Sequence, residues 1–478
     1  MPPTATTPSL ADVNRTLLAT LCLLSFLAPL FAQAPQPQFP ACTVIPKVTC
    51  TADSEETYAL SLPSGFSPAR KWPIIYLFDP GARGRVAVDV VREAAEKFGY
   101  IVAASNNSRN GSTGGSMKAA NAMWQDTQQK FPIDERRRYV AGMSGGARLA
   151  TSIALGCDGC VAGVIANAAG FPNGTVPPQN MKFAYFGAVG NADFNYSEFV
   201  DLRRKLDATG ASYRIRVFEG QHGWAPAEVW LEALNWMDIH AMIAGSLARD
   251  PSRIAGTLND TLARARDFET KNDLLSAFRE YQAAVRDFSG LADVSAARVR
   301  LLELEKNKAL KAAEKREAAE IEEQERIDAG PSTQMQRIPS GDLSGFELAD
   351  LRANLADLKK QATASNPKTL VLRRALAGLV VQAYEAGDRS LEQKDYRSAL
   401  LYFDVAAAGS ANPGWAHYQR ARTFAMSSNK KDMLAELRLC SKGGFHDADA
   451  LNAAEFQPYR EEREFQALAA EWKSETAK

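Results

Sequence analysis

Between residues 58 and 245 the sequence keeps a steady rhythm. A short apolar, β-branched run is followed by a helix-length amphipathic stretch, and the pair recurs. Seven runs read as strands: YALSLP, WPIIYLFD, YIVAAS, RYVAGMS, VAGVIANA, FAYFGAVG and YRIRVFE. Helical periodicity occupies 86–98, 116–130, 145–155, 197–208 and 226–243. Strands alternating with helices of this length predict βαβ units and a mostly parallel sheet, an α/β fold. Helices then cover both faces of the sheet. This accounts for continuous apolar runs such as YLF and VIA where a half-exposed sheet would alternate apolar and polar residues.

The rhythm stops at Ser246. Glycine thins, strands vanish, and Ala, Leu, Glu, Lys and Arg dominate. Residues 254–290 read as a helical hairpin, 292–329 as a charged, solvated helix, and GPSTQMQRIPSGD within 330–345 as a linker. From 346 to 478 the spacing of Tyr396, Ala399, Phe403 and Ala406, with Gly387 before them and Pro413 after, predicts closely packed helix pairs. Ala277, Tyr281 and Ala284 repeat the small–aromatic–small spacing. The pattern resembles tetratricopeptide repeats, which implies an all-α region that contacts a protein partner or presents substrate.

The chain of 478 residues has room for two to four domains. Lys plus Arg equals Asp plus Glu, 56 of each, which argues against a protein built to bind nucleic acid or anionic membrane. Arg15, the apolar run LLATLCLLSFLAPLF and the small-residue site around Ala32 form a signal-peptide layout over 1–32. Export to the periplasm or medium is expected, and with it an oxidising environment for the cysteines. Residues 33–52 read as a linker in which Cys42 and Cys50 form a local disulfide. Cys157 and Cys160, in C-D-G-C, read as a structural disulfide, and Cys440 is left over.

At the end of the RYVAGMS run lies GMSGG, a match to G-x-S-x-G centred on Ser144. Chance alone supplies this pattern in about one in seven chains of this length. The context is more selective, because a good strand precedes Ser144 and a good helix follows it. That is the setting of a nucleophile elbow, in which a sharp turn lifts the serine off the sheet edge beside a helix N-terminus. A serine nucleophile needs a base and an acid to orient it. His240, His417 and His446 fall in helical stretches, whereas His222 lies in the loop EGQHGW after the last strand. Asp193 follows FAYFGAVG and is the candidate acid. Asp158 comes too early, and Glu198, Asp201 and Asp207 fall in the next helix. For the oxyanion, Gly145 follows the nucleophile and Ala82 in DPGARG offers a second N–H. Asn106, Asn107 and Arg109 of SNNSRNG, and Trp224, are candidate substrate-binding residues.

DPGARG, SNNSRNG, AGMSGGARLA, GNADFNY and GQHGW, in this order, resemble the α/β-hydrolase superfamily over about 53–245. They are most similar to its poly(3-hydroxybutyrate)-depolymerase-like and dienelactone-hydrolase-like esterases. The resemblance implies a doubly wound, mostly parallel sheet, and the short segment GFPNGTVPPQNMK leaves little room for a lid. The resemblance also implies Ser144, Asp193 and His222 as a catalytic triad, with Gly145 and Ala82 as oxyanion donors. The usual His-Gly of the oxyanion loop is Pro80-Gly81 here. Only GFPNGTVPPQNMK separates VIANAA from FAYFG, so a shallow, open site is expected, suited to esters on bulky or polymeric groups. The expected activity is secreted carboxylic-ester hydrolysis, which needs no metal or cofactor. The alternatives are a peptidase with the same triad, and an adaptor whose helices carry the function.

Overall fold

The computed structural model describes residues 39–111, 113–363 and 368–476. The signal-peptide segment 1–32 lies outside the described residues. The described residues from Ala41 onward form one compact unit.

Eight strands form a single sheet in the order β1-β2-β4-β3-β5-β6-β7-β8. They are β1 (Val44–Thr49), β2 (Thr57–Ser61), β3 (Trp72–Phe78), β4 (Ile101–Ser105), β5 (Ile133–Met143), β6 (Gly163–Asn167), β7 (Ala184–Gly190) and β8 (Tyr213–Phe218). β2 pairs antiparallel with both β1 and β4, and every pair from β4 to β8 is parallel. This is a doubly wound, mostly parallel α/β sheet, as the alternation of strands and helices predicts.

The two sheet faces are read from alternate residues of one strand. Ile75 and Leu77 pack with α1 (Gly84–Phe98) and α5 (Ala227–Ile243) in one apolar cluster. Tyr76, pointing the other way, stacks on Trp124 and bonds Thr127, both of α2 (Thr113–Lys130). On that second face α3 (Gly145–Gly156) crosses β3 with Gly146 against the Phe78 carbonyl, and α4 (Tyr196–Asp207) sets Phe199 over Gly187. β3, β4, β6 and β7 are buried at every position, whereas the first half of β5 and the second half of β8 are partly exposed.

Residues 33–52 are not simply a linker, because they contain β1. Its sequence, VIPKVT, hides the strand. Pro46 removes a ladder donor, the register slips between Ile45 and Val48, and half of its side chains are exposed. These are properties of an edge strand, where proline is tolerated. The same strand rules out the Cys42–Cys50 disulfide. Eight residues of extended chain separate the two thiols by roughly 25 Å, far beyond the ~7 Å Cα limit for a bridge. Both cysteines are free, Cys42 exposed and Cys50 buried. Cys157 and Cys160 are joined, with Cα atoms 5.6 Å apart, just past the end of α3.

The helical region opens with α6 (Pro251–Thr270) and α7 (Leu274–Phe288), an αα-hairpin. It is fastened to the sheet by buried Arg214 of β8, which meets Glu232 at 2.8 Å, Glu280 at 2.9 Å and Asp287 at 3.3 Å. Next come α8 (Ser295–Glu305) and the long α9 (Lys308–Gln336). The 330–345 linker is thus overturned in its first half, since α9 runs through Pro331. Composition signals a break there, but Met335 and Ile338 are buried in an apolar cluster with later helices, and that packing outweighs one lost hydrogen bond. The remaining helices are α10 (Gly345–Thr363), α11 (Thr369–Glu392), α12 (Tyr396–Gly409), α13 (Gly414–Met426), α14 (Lys430–Lys442) and α15 (Arg463–Thr476). Gly387 of α11 lets the Phe403 ring of α12 lie so close that a Cβ would sit 2.5 Å from it. No helix among the described residues is long and apolar enough to cross a membrane.

Candidate active site

Ser144 follows the last residue of β5 and precedes the first turn of α3. Its backbone has φ 54° and ψ −123°, a conformation that L residues rarely adopt. Three glycines make this turn possible. A Cβ on Gly142 would lie 2.3 Å from the Gly146 backbone, one on Gly146 would lie 2.0 Å from the Phe78 carbonyl oxygen, and one on Gly145 would lie 1.9 Å from Asn110 Oδ1. The motif is therefore a steric requirement: helix and strand approach too closely for side chains. The Ser144 N–H donates to the Asn167 carbonyl of β6 at 2.9 Å, which locks the turn to the next strand. As the first residue of α3, Gly145 carries one of the N–H groups that a helix cannot use internally.

Asp193 lies in the loop after β7 and is fully buried. Its Oδ1 accepts the Asn195 N–H at 2.8 Å. His222, in the loop after β8, places Nδ1 at 2.9 Å and 3.1 Å from the two Asp193 oxygens. A carboxylate only accepts, so Nδ1 carries the proton and Nε2 is left as the basic lone pair. The imidazole also lies against Phe194, with ring centroids 4.2 Å apart. The two loops are tied together, since Ala192 N–H donates to the Gly220 carbonyl at 2.9 Å and Gly220 N–H to Asn191 Oδ1 at 3.2 Å. Ser144 and His222 line the same cavity, of about 930 Å³, at the carboxyl ends of the parallel strands.

Ala82 does not serve as expected. Its N–H donates to the Asp79 carbonyl at 3.1 Å within its own turn, and Gly81 N–H goes to Asp79 Oδ1 at 2.8 Å. The cause is buried Asp79, which also takes Arg83 Nε at 2.8 Å and the Trp224 indole N–H at 3.0 Å, so DPGARG folds around a carboxylate. Trp224 is thereby a structural residue of that loop. Asn106 and Asn107 also turn away from the cavity. Asn106 Nδ2 donates to the Pro46 carbonyl at 3.0 Å, and Asn107 accepts the Thr57 N–H at 2.9 Å while donating to the Glu55 carbonyl at 3.0 Å. They bind the loop to the first two strands. Arg109 does line the cavity, and so does its neighbour Asn110, which was not singled out in SNNSRNG. Asn110 N–H donates to the Pro80 carbonyl at 2.9 Å, which brings its side chain over Gly145.

The expectation of an open site is corrected. The wall opposite Ser144 is built by α11 and α13, through Gln382, Tyr384, Glu385, Asp388 and Trp415. Asn110 Nδ2 reaches Glu385 Oε1 at 3.4 Å across the gap. Asp388 accepts from Gln419 at 2.6 Å, and burial lifts its carboxyl to about 6, with Arg422 opposing and Glu392 and Glu385 reinforcing the rise. None of these wall residues has a local motif, because they join the site only through tertiary packing. Among the described residues no group of three or more His, Cys, Asp or Glu side chains is placed to hold a metal ion.

No protein-family model matches the sequence, and no curated protein matches it. Among solved structures the chain is similar to an S-formylglutathione hydrolase from Staphylococcus aureus, at 15% identity over 38% of this chain and 90% of that one, with a TM-score of 0.32. It is also similar to Thermogutta terrifontis esterase 2, at 15% identity over 45% of this chain and 100% of that one, TM-score 0.35. A third is a feruloyl esterase module from Clostridium thermocellum, at 15% identity over 40% and 84%, TM-score 0.31. At such identity and superposition, the functional reading rests on the geometry of the site.

Proposed function

We propose that the chain is a serine hydrolase that cleaves carboxylic esters through an acyl-enzyme. The observation that carries this reading is the His222–Asp193 pair, held by a fully buried carboxylate, in one cavity with a serine on a strained strand–helix turn. Ser144 Oγ attacks the ester carbonyl carbon as its proton passes to His222 Nε2. Asp193 holds the ring in the right tautomer and stabilises the imidazolium. The oxyanion is held by the Gly145 N–H at the start of α3. His222 then gives its proton to the departing alkoxide, and water repeats the sequence to free the acid. The alcohol and acid produced account for every atom of ester and water.

The walls of α11 and α13 support an ester with one bulky group, since about 930 Å³ exceeds the needs of a short acyl chain. They remove the argument for a polymer laid on an open sheet edge. Antiparallel pairs such as α6–α7 support a tetratricopeptide-like reading of the helices. The apolar N-terminal run and the Cys157–Cys160 disulfide support export. The test is covalent labelling by a fluorophosphonate probe, with Ser144→Ala as control, followed by turnover of short-chain and bulky esters beside a peptide. Absence of Ser144-dependent labelling overturns the proposal, and faster turnover of the peptide reassigns it to peptidase.

A further inference from the structure

The acid loop 191–195 has no regular structure of its own, yet it must hold Asp193 within hydrogen-bond reach of His222. The His222 loop fixes one side. The other side is fixed by the helical region. Arg374 of α11, 3% exposed, donates through Nε to the Asn191 carbonyl at 2.6 Å, and its guanidinium lies 3.8 Å from the centroid of the Tyr196 ring. Gln324 of α9, 6% exposed, donates through Nε2 to the Phe194 carbonyl at 3.1 Å. Gly378, one turn beyond Arg374, lets α11 approach until a Cβ there would be 3.2 Å from Phe194 Cβ. Phe194 in turn carries the His222 ring. Two carbonyls bracketing the acid thus find their partners on helices about 130 and 180 residues away. Both donors are themselves buried side chains of the helical region, so the loop conformation depends on those helices.

We propose that Arg374 and Gln324 are positioning residues for the Asp193–His222 pair, and that the helical region is an integral half of the active site. The inference rests on the proposed serine-hydrolase reading. Around Arg374 stand Glu320 at 3.8 Å, Tyr196, and Glu317, which is itself paired with Arg279 at 2.5 Å; Asp193 lies within electrostatic range. The informative variants are therefore those that leave charge unchanged. Arg374→Lys keeps the cation and loses the planar donor; Gln324→Leu removes the bond to Phe194 together with a hydrogen bond to Asp328 on the same helix.

The experiment uses the full chain, with active sites counted by fluorophosphonate titration. The expected result for each variant is a fall in kcat of about 10- to 100-fold with KM nearly unchanged. The acid limb of the kcat/KM profile moves to lower pH, because a loosened carboxylate stabilises the imidazolium less. Unchanged kcat per titrated site with an unmoved acid limb overturns the inference, whatever happens to thermal stability. If Arg374→Lys fails to fold, Gln324→Leu decides by the same two readouts. A wild-type chain that neither labels nor hydrolyses esters instead overturns the parent reading, so the two failures are distinguishable.

Discussion

Ser144 at φ 54° and ψ −123° stores backbone strain that glycine would not feel. An L residue held in such a region costs on the order of 1–3 kcal/mol. Ser144→Gly removes that strain but adds the unfolded-state entropy of glycine, about 0.5–1 kcal/mol relative to alanine. Ser144→Ala keeps the strain and, like Ser144→Gly, lacks the hydroxyl, so interactions of Oγ cancel between the two. Ser144→Gly is therefore expected to be more stable than Ser144→Ala by about 1 kcal/mol. For a cooperative unit of this size the difference is about 1 °C in Tm, from an unfolding entropy near 2.1 cal/mol/K per residue. Replicate calorimetric scans of the two inactive proteins, side by side, read it directly. If Ser144→Gly melts below Ser144→Ala, the turn is unstrained, and the argument that its glycines exist to tolerate a forced serine fails.

His240 lies against Trp236 with its Nε2 enclosed, and burial depresses its imidazole to about 4. The unfolded chain protonates this group near pH 6.5, so the contribution is complete above 6.5 and is lost as pH falls toward 4, on the order of 1–3 kcal/mol. Denaturation midpoints across that window should fall less steeply for His240→Phe. Reducing Cys157–Cys160 opens only a four-residue loop, so stability should drop by about 2 kcal/mol with kcat unchanged, measured with and without reductant.

The six parallel strands and the flanking β2 were legible, most plainly β3, β4, β6 and β7, where burial on both faces demands uninterrupted apolar runs. β1 was not, because an edge strand with Pro46 and exposed side chains carries no such mark. The Ser144 turn was legible for a steric reason: Gly142 and Gly146 are required wherever a helix starts this close to a strand. Ala82 was misread because the usual loop position was assumed, whereas Asp79 rebuilds the loop by collecting Gly81, Arg83 and Trp224. Asn106 and Asn107 were chosen over Asn110 because side-chain direction in a loop is set by partners far along the chain.

By itself the sequence determined what local chemistry and periodicity can encode: the alternating sheet, the strained serine hinge, and loops after β7 and β8 bearing an acid and an imidazole. Only the tertiary structure decided that α9 and α11 hold the acid loop and that α11 and α13 close the cavity. The reason is physical. Periodicity records which face of a helix is buried, but not against what, and the hydrogen bonds of Arg374 and Gln324 to backbone carbonyls leave no trace in the residues they join.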